Sequence, residues 1–245
     1  MIYVVGLGPG RKEEMTGRAL AALERSDVIL GYKTYIDMIR PIFPGKDLRT
    51  SSMKAEVARC REALELSLSG RTVGLVSSGD PGVYGMAGLM LEVAEGRTEV
   101  EIVPGVTAAS SAAALLGAPL MHDFAVISLS DLLTPWNLIE RRLGAVAAAD
   151  FVVCLYNPAS RGRPTHFQWA CDILLRHKSP ETVAGWVCGA GREGGSQCIT
   201  TLGKIRDAEL DMFCTAVVGN VATRVLNGRM VTPRGYRFGI REELE

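Results

Sequence analysis

Three glycine-rich turns, each directly behind a short apolar run, are the first segments of this chain whose residue types could do chemistry. Val5-Gly6-Leu7-Gly8-Pro9-Gly10 follows Ile2–Val5, Ser77-Ser78-Gly79-Asp80-Pro81-Gly82-Val83-Tyr84-Gly85 follows Thr72–Val76, and Val103-Pro104-Gly105-Val106-Thr107-Ala108-Ala109-Ser110 follows Val100–Val103. Glycine lets backbone approach a ligand closely, and in an open parallel sheet ligands bind beyond the carboxyl ends of the strands. The first turn departs from the G-x-G-x-x-G dinucleotide fingerprint. Arg11 stands at the third glycine, and the acidic residue expected about 20 positions on falls at Asp27, ahead of the second strand. Pro9 also removes one N–H from a loop that would have to cradle phosphate. The turn therefore reads either as a tight strand-to-helix connection or as backbone passing an uncharged part of a ligand. Asp80 reads as an acceptor for a ribose or for backbone N–H groups, or as a turn residue before Pro81. Thr107 is placed to cap the helix that follows it while still exposing a hydroxyl or N–H.

The elements that must position these turns follow from periodicity. Strands are expected at Ile2–Val5, Val28–Leu30, Thr72–Val76 and Val100–Val103. Helices are expected at Thr16–Arg25, Ala55–Ser67 (with Val57, Leu64 and Leu68 on its apolar face), Gly88–Ala94 and Ala108–Leu116. This alternation predicts right-handed crossovers and a mostly parallel sheet. Gly117-Ala118-Pro119-Leu120 reads as a boundary between an N-terminal domain, 1–120, and a C-terminal domain, 121–245. Beyond it, strands at Ala125–Leu129, Phe151–Tyr156, Thr182–Val187, Gln197–Thr201 and Cys214–Val218, with helices at Trp136–Ala147 and His166–His177, predict a second, mixed sheet. The fold class is α/β, in two α/β domains.

Composition narrows the function classes. The 245 residues are 47% hydrophobic and 22% charged, with 27 basic and 27 acidic side chains. A neutral balance argues against a nucleic-acid binder. No apolar run approaches the roughly 20 residues of a membrane span, and no signal peptide opens the chain. The six cysteines form no C-x-x-C pair, and the nearest two are ten residues apart. They read as reduced core residues of a cytoplasmic protein, with no metal site.

Taken together, the three turns resemble the tetrapyrrole methylase family, marked by GxGPG, GDP-type and PGVTA-type loops. Longer blocks resemble the branch acting at C-17 of precorrin-3B or cobalt-precorrin-3. These are Gly31-Tyr32-Lys33-Thr34-Tyr35, Tyr84-Gly85-Met86-Ala87-Gly88, Leu116-Gly117-Ala118-Pro119-Leu120-Met121-His122-Asp123-Phe124, Ser128-Leu129-Ser130-Asp131-Leu132-Leu133-Thr134-Pro135-Trp136, Tyr156-Asn157-Pro158 and Thr232-Pro233-Arg234-Gly235-Tyr236. The match runs from Met1 to about Tyr236. One departure is Arg11, where many members carry Asp.

The resemblance implies two α/β domains with the cofactor in the cleft between them, usually as a homodimer. It also implies methylation of a tetrapyrrole carbon with contraction of the macrocycle, using S-adenosylmethionine and releasing S-adenosylhomocysteine. Carried over, the cofactor contacts fall on Pro9, Gly79, Asp80, Val83, Thr107, Ala108, Tyr156, Asn157, Gly189, Ala190, Ala216 and Val217. A polycarboxylate substrate calls for basic side chains. Lys33, Arg161, Arg163, Arg192 and Arg234 are the candidates, with Ser130 as a further contact. Proton transfer falls to His122, Asp131 and Tyr84, with Asp123 beside them. Asp131 reads equally as an N-cap, and His166 and His177 read as structural. The competing readings are another tetrapyrrole C-methyltransferase, a nicotinamide oxidoreductase and a non-catalytic ligand carrier.

Overall fold

A computed structural model describes residues 1–52 and 54–236. The chain divides into two compact units. The first comprises Met1–Ser111 with Gly189–Gly195, and the second Ala112–Cys188 with Ser196–Glu245. The division falls inside a helix, between Ser111 and Ala112, rather than at residue 120, and a seven-residue stretch of the second half joins the first unit.

The first unit carries five parallel strands: β1 (Ile2–Gly6), β2 (Val28–Tyr32), β3 (Asp47–Ser51), β4 (Val73–Ser77) and β5 (Val100–Val103). Their order is β3-β2-β4-β1-β5. Four helices connect them: α1 (Gly17–Arg25), α2 (Lys33–Ile39), α3 (Glu56–Leu68) and α4 (Ala87–Ala94). The three inner strands, β2, β4 and β1, are apolar on both faces, as a doubly covered parallel sheet requires. Ile2, Val4, Val28, Leu30, Val73 and Leu75 face Cys60, Ala63 and Leu64 of α3 and Met90 and Ala94 of α4. Tyr3, Val5, Ile29 and Val76 face Ala19, Ala22 and Leu23 of α1 and Ile36 and Ile39 of α2. Thr16 caps α1, its hydroxyl accepting from the Ala19 N–H at 3.0 Å.

α3 turns a different face inward from the one its apolar residues suggest. Val57 and Leu68 are 46% and 56% exposed. The buried stripe is Arg59, Cys60, Ala63, Leu64 and Ser67. Small residues at helical spacing let α3 lie close on the sheet, and Arg59 is stabilised there by donating to Ser51 Oγ and the Ser52 carbonyl. β3 and α2 carried no clear sequence signal. β3 is a polar edge strand, where burial does not impose alternation.

The second unit begins with the end of α5 (Ala108–Leu116) and a two-residue strand, β6 (Gly117–Ala118). Its main sheet holds β7 (Phe124–Ser128), β8 (Val152–Tyr156), β9 (Val183–Cys188), β10 (Ser196–Thr201) and β11 (Cys214–Val218), ordered β10-β9-β11-β8-β7. Only β7 and β8 pair in parallel, so the sheet is mixed. α6 (Trp136–Ala148), α7 (His166–Leu175) and α8 (Leu202–Ile205) bury Ile139, Leu143, Phe167, Cys171, Leu174 and Leu202 against it. A hairpin, β12 (Arg224–Leu226) and β13 (Arg229–Val231), turns on Asn227 and Gly228, both at positive φ, and β13 adds β6 as a parallel neighbour.

The reading of all six cysteines as reduced is corrected here. Cys188 and Cys214 are direct partners across the antiparallel β9–β11 pair and are joined in a disulfide. Sequence separation conceals such a pair, because strand register decides it. Cys60, Cys154, Cys171 and Cys198 are free. Burial pushes the thiols of Cys60 up to about 11 and of Cys154 and Cys171 up to about 12, which leaves them protonated and inert. Among the described residues no helix is long and apolar enough to cross a membrane.

Candidate functional site

The strand order places β4, β1 and β5 side by side and parallel, so the three glycine turns leave the same edge of the first unit's sheet. The backbones knit together there. Gly8 donates to the Gly79 carbonyl at 3.1 Å and Gly79 donates to the Gly8 carbonyl at 2.8 Å, an isolated bridge between the first and second turns. Gly79 has a φ of +68°, open to glycine and costly for most residues. A Cβ on Gly6 would lie 2.6 Å from both the Gly105 nitrogen and the Gly79 oxygen. The third turn is therefore held against the other two by bare backbone contact.

Asp80 supplies the side-chain part of this junction. Its Oδ1 accepts from the Gly82 N–H at 2.8 Å and its Oδ2 from the Gly105 N–H at 3.1 Å. The carboxylate thus satisfies a donor in its own turn and one in the third turn. Thr107 and Ala108, at the start of α5, border Gly79: a Cβ there would sit 3.7 Å from the Ala108 nitrogen and from the Thr107 Cα. The Val83 N–H closes onto the Asp80 carbonyl, and Tyr84, at a φ of +54°, is 60% exposed.

Gly189–Gly195 completes the group. Gly191 (φ +67°) packs on the buried Pro9, where a Cβ would come within 2.5 Å of the proline Cβ. The Arg192 guanidinium donates to Ser78 Oγ at 3.2 Å. It also opposes the effect of burial on Tyr35, whose hydroxyl pKa lies above its ordinary value. The structure therefore brings Pro9, Gly79, Asp80, Thr107, Ala108 and the Gly189–Gly191 segment into one unit. Arg192 excepted, the atoms offered are mainly backbone N–H, C=O and small apolar groups.

A second constellation lies at the carboxyl ends of the parallel pair β7 and β8. Asn157, at a φ of +52°, donates from its amide to Ser128 Oγ at 3.0 Å. Arg163 donates to the carbonyls of Leu129 and Asn157 at 3.1 and 2.8 Å, and the Leu129 N–H donates to the Tyr156 carbonyl. These bonds tie the segment carrying Ser130 and Asp131 to the one carrying Tyr156 and Asn157. The Arg163 guanidinium, expected to meet substrate, is engaged by the chain itself. Asp131 Oδ2 lies 3.2 Å from Nε2 of His166, a residue that sequence reasoning left as structural.

The remaining candidates make other contacts or are exposed. His122 is exposed, and its Nδ1 accepts from the neighbouring Asp123 N–H at 2.9 Å. Lys33, at the first position of α2, pairs with Asp37 one turn on at 2.7 Å. Arg161 and Arg234 are exposed. Ala216 and Val217 occupy the centre of β11, paired on both sides and 0% exposed, with their side chains in the core. Cys188, Asp211 and Cys214 bring ligand-type atoms within 4.8 Å of one another, but the two sulfurs are bonded together.

Comparison with known proteins places this geometry in context. Residues 1–206 match the family model of the Tetrapyrrole (Corrin/Porphyrin) Methylases. The chain is 48% identical over 239 residues to a Salmonella typhimurium protein named "Probable cobalt-factor III C(17)-methyltransferase", covering 96% of this chain and 99% of that protein. It is 45% identical to the "Cobalt-factor III methyltransferase" of Priestia megaterium, of whose length it spans 45%. Among solved structures, that of "the methyltransferase CobJ" superposes with a TM-score of 0.88 at 38% identity, covering 95% of this chain and 99% of the other. A Thermus thermophilus uroporphyrin-III C-methyl transferase, solved with S-adenyl homocysteine, shares the fold with a TM-score of 0.70 at 22% identity. By full-length sequence similarity and by fold, this chain belongs to the tetrapyrrole methylase family.

Proposed function

We propose that this protein transfers a methyl group from S-adenosylmethionine to C-17 of a precorrin-3-level tetrapyrrole, with contraction of the macrocycle, in cobalamin biosynthesis. The observation that carries this reading is the 48% identity, across nearly all of both chains, to a relative named for that reaction. The relatives at 48% and 45% identity are named for cobalt-factor III. This favours a substrate that already holds cobalt, the metal arriving as part of the substrate.

The turns of the first unit fit the donor's chemistry. S-Adenosylmethionine supplies an electrophilic methyl on a sulfonium, which passes to the carbon nucleophile as the S–C bond electrons return to sulfur. The donor carries no phosphate, in keeping with a loop that contains Pro9 and backbone carbonyls. The three turns containing Pro9, Asp80 and Thr107 would hold and orient it, and Asp80 keeps those turns in register. Pre-positioning of this kind is the main contribution a protein makes to an in-line displacement. Asp131, Ser130, His122 and Tyr84 are the polar groups proposed to meet the macrocycle. The homodimer and a cytoplasmic location belong to the same proposal and rest on the family resemblance.

The test is incubation of the purified protein with carbon-13-methyl donor and either cobalt-bearing or metal-free substrate, followed by mass spectrometry and carbon NMR. One labelled methyl at C-17 of a contracted ring is expected, with the cobalt-bearing substrate consumed faster. Label at another carbon would instead establish a different tetrapyrrole methylase activity.

A further inference from the structure

His166 is the buried titratable group of the second unit that the proposed chemistry leaves unused. It is the first residue of α7 and only 7% exposed. Two indoles wedge its ring: Trp136 edge-on at 4.7 Å and Trp169 tilted by 30° at 5.0 Å. Neither ring nitrogen makes an aligned hydrogen bond among the described residues, although Nε2 lies 3.2 Å from Asp131 Oδ2. The distance is that of a hydrogen bond and the angle is not, so the two groups stand in close contact. A buried imidazole with no aligned partner is costly. Packing alone would be served as well by an apolar ring.

The partner is placed differently. The Asp131 side chain is 41% exposed, beyond the carboxyl end of β7 and next to Ser130. Its segment is clamped by Arg163, Asn157 and Ser128. The imidazole is too enclosed to meet a ligand, whereas the carboxylate can. We infer that His166 is a positioning residue that holds the Asp131 carboxylate for proton transfer with the substrate, an inference that rests on the methyltransferase reading above. In that transfer a substrate O–H or C–H bond breaks, its electron pair stays on the substrate, and the proton passes to the carboxylate. The reverse step returns the carboxylate.

Four variants test this: His166→Gln, His166→Leu, Asp131→Asn and the double variant Asp131→Asn/His166→Leu. Loss of a proton-transfer group costs roughly 100-fold or more, so Asp131→Asn and His166→Leu should each lower kcat by about that factor while KM and donor affinity stay within about threefold. Because His166 acts through Asp131, the double variant should fall no further than Asp131→Asn alone, a non-additivity expected of coupled residues. His166→Gln, which keeps an N–H near the Nε2 position, should recover to within about tenfold of the parent. Losses that multiply in the double variant, or a normal kcat in His166→Leu or in Asp131→Asn, would overturn the inference. Nitrogen-15 NMR of the intact protein gives a readout independent of turnover. The His166 ring should show the Nε2-protonated form, and its shifts should move in Asp131→Asn. Ring signals identical in the two proteins refute the pairing. If the parent protein methylates nothing, the functional reading fails, while the NMR comparison still decides whether the two residues are coupled.

Discussion

Asp80 shows how one side chain can serve scaffold and site together. Its two oxygens accept from Gly82 and Gly105, N–H groups of two different turns. Asp80→Ala leaves both donors without this partner, and a lost hydrogen bond of this kind costs about 1–3 kcal/mol. The variant should unfold at lower urea concentration and bind S-adenosylmethionine at least tenfold more weakly by calorimetry, since tenfold corresponds to about 1.4 kcal/mol. Asp80→Asn keeps one acceptor and should lie between the two proteins in both measurements. Reduced stability with unchanged affinity would restrict Asp80 to a scaffold role. The sequence offered both a ribose and a backbone partner for this carboxylate, and the structure supplies backbone partners.

Elements impose their own limits. Gly105 lies where the third turn crosses the first two, and a Cβ there would come 2.7 Å from the Gly6 carbonyl carbon and closer still to the Gly79 oxygen. Backbone on both sides cannot give way cheaply. Gly105→Ala should therefore lose about 2 kcal/mol or more in chemical denaturation and weaken donor binding with it. At the opposite extreme, α7 is linked to the end of α8 by the half-exposed pair of Asp172 and Arg206, 2.6 Å apart. The hydrogen bond from Arg206 holds the Asp172 carboxyl below its ordinary 3.8. A depressed carboxyl contributes stability above its unfolded pKa and loses it as pH falls through the lower folded value. Arg206→Ala should thus lower stability only slightly near neutral pH, and parent and variant should converge as the pH drops below 3.8. A difference that persists in acid would mean that Arg206 acts by packing.

For the molecule as a whole, counting thiols checks the strand register of the second unit. Four free cysteines and one disulfide mean that the denatured chain should titrate four thiols without reductant and all six after reduction. In the folded protein Cys198, which is partly exposed, should react first, and Cys60, Cys154 and Cys171 should stay protected by burial. Six thiols without reductant would remove the Cys188–Cys214 bond. This outcome separates what was legible in the chain from what was not. Alternating apolar strands and helices, the three glycine turns and the mixed second sheet were readable, because periodicity and turn chemistry are local properties of neighbouring residues. The polar edge strand β3, the inward face of α3 and the pairing of Cys188 with Cys214 were not, since each depends on what a residue meets across space. The same holds at the sites. Sequence alone marked Asp80, Thr107 and Asp131 as groups able to do chemistry. Only tertiary structure decided that Gly191 packs on Pro9, that Arg163 is engaged by carbonyls of its own chain, that Ala216 and Val217 are core, and that His166 stands behind Asp131, because contacts between residues distant in the chain are set by register and packing.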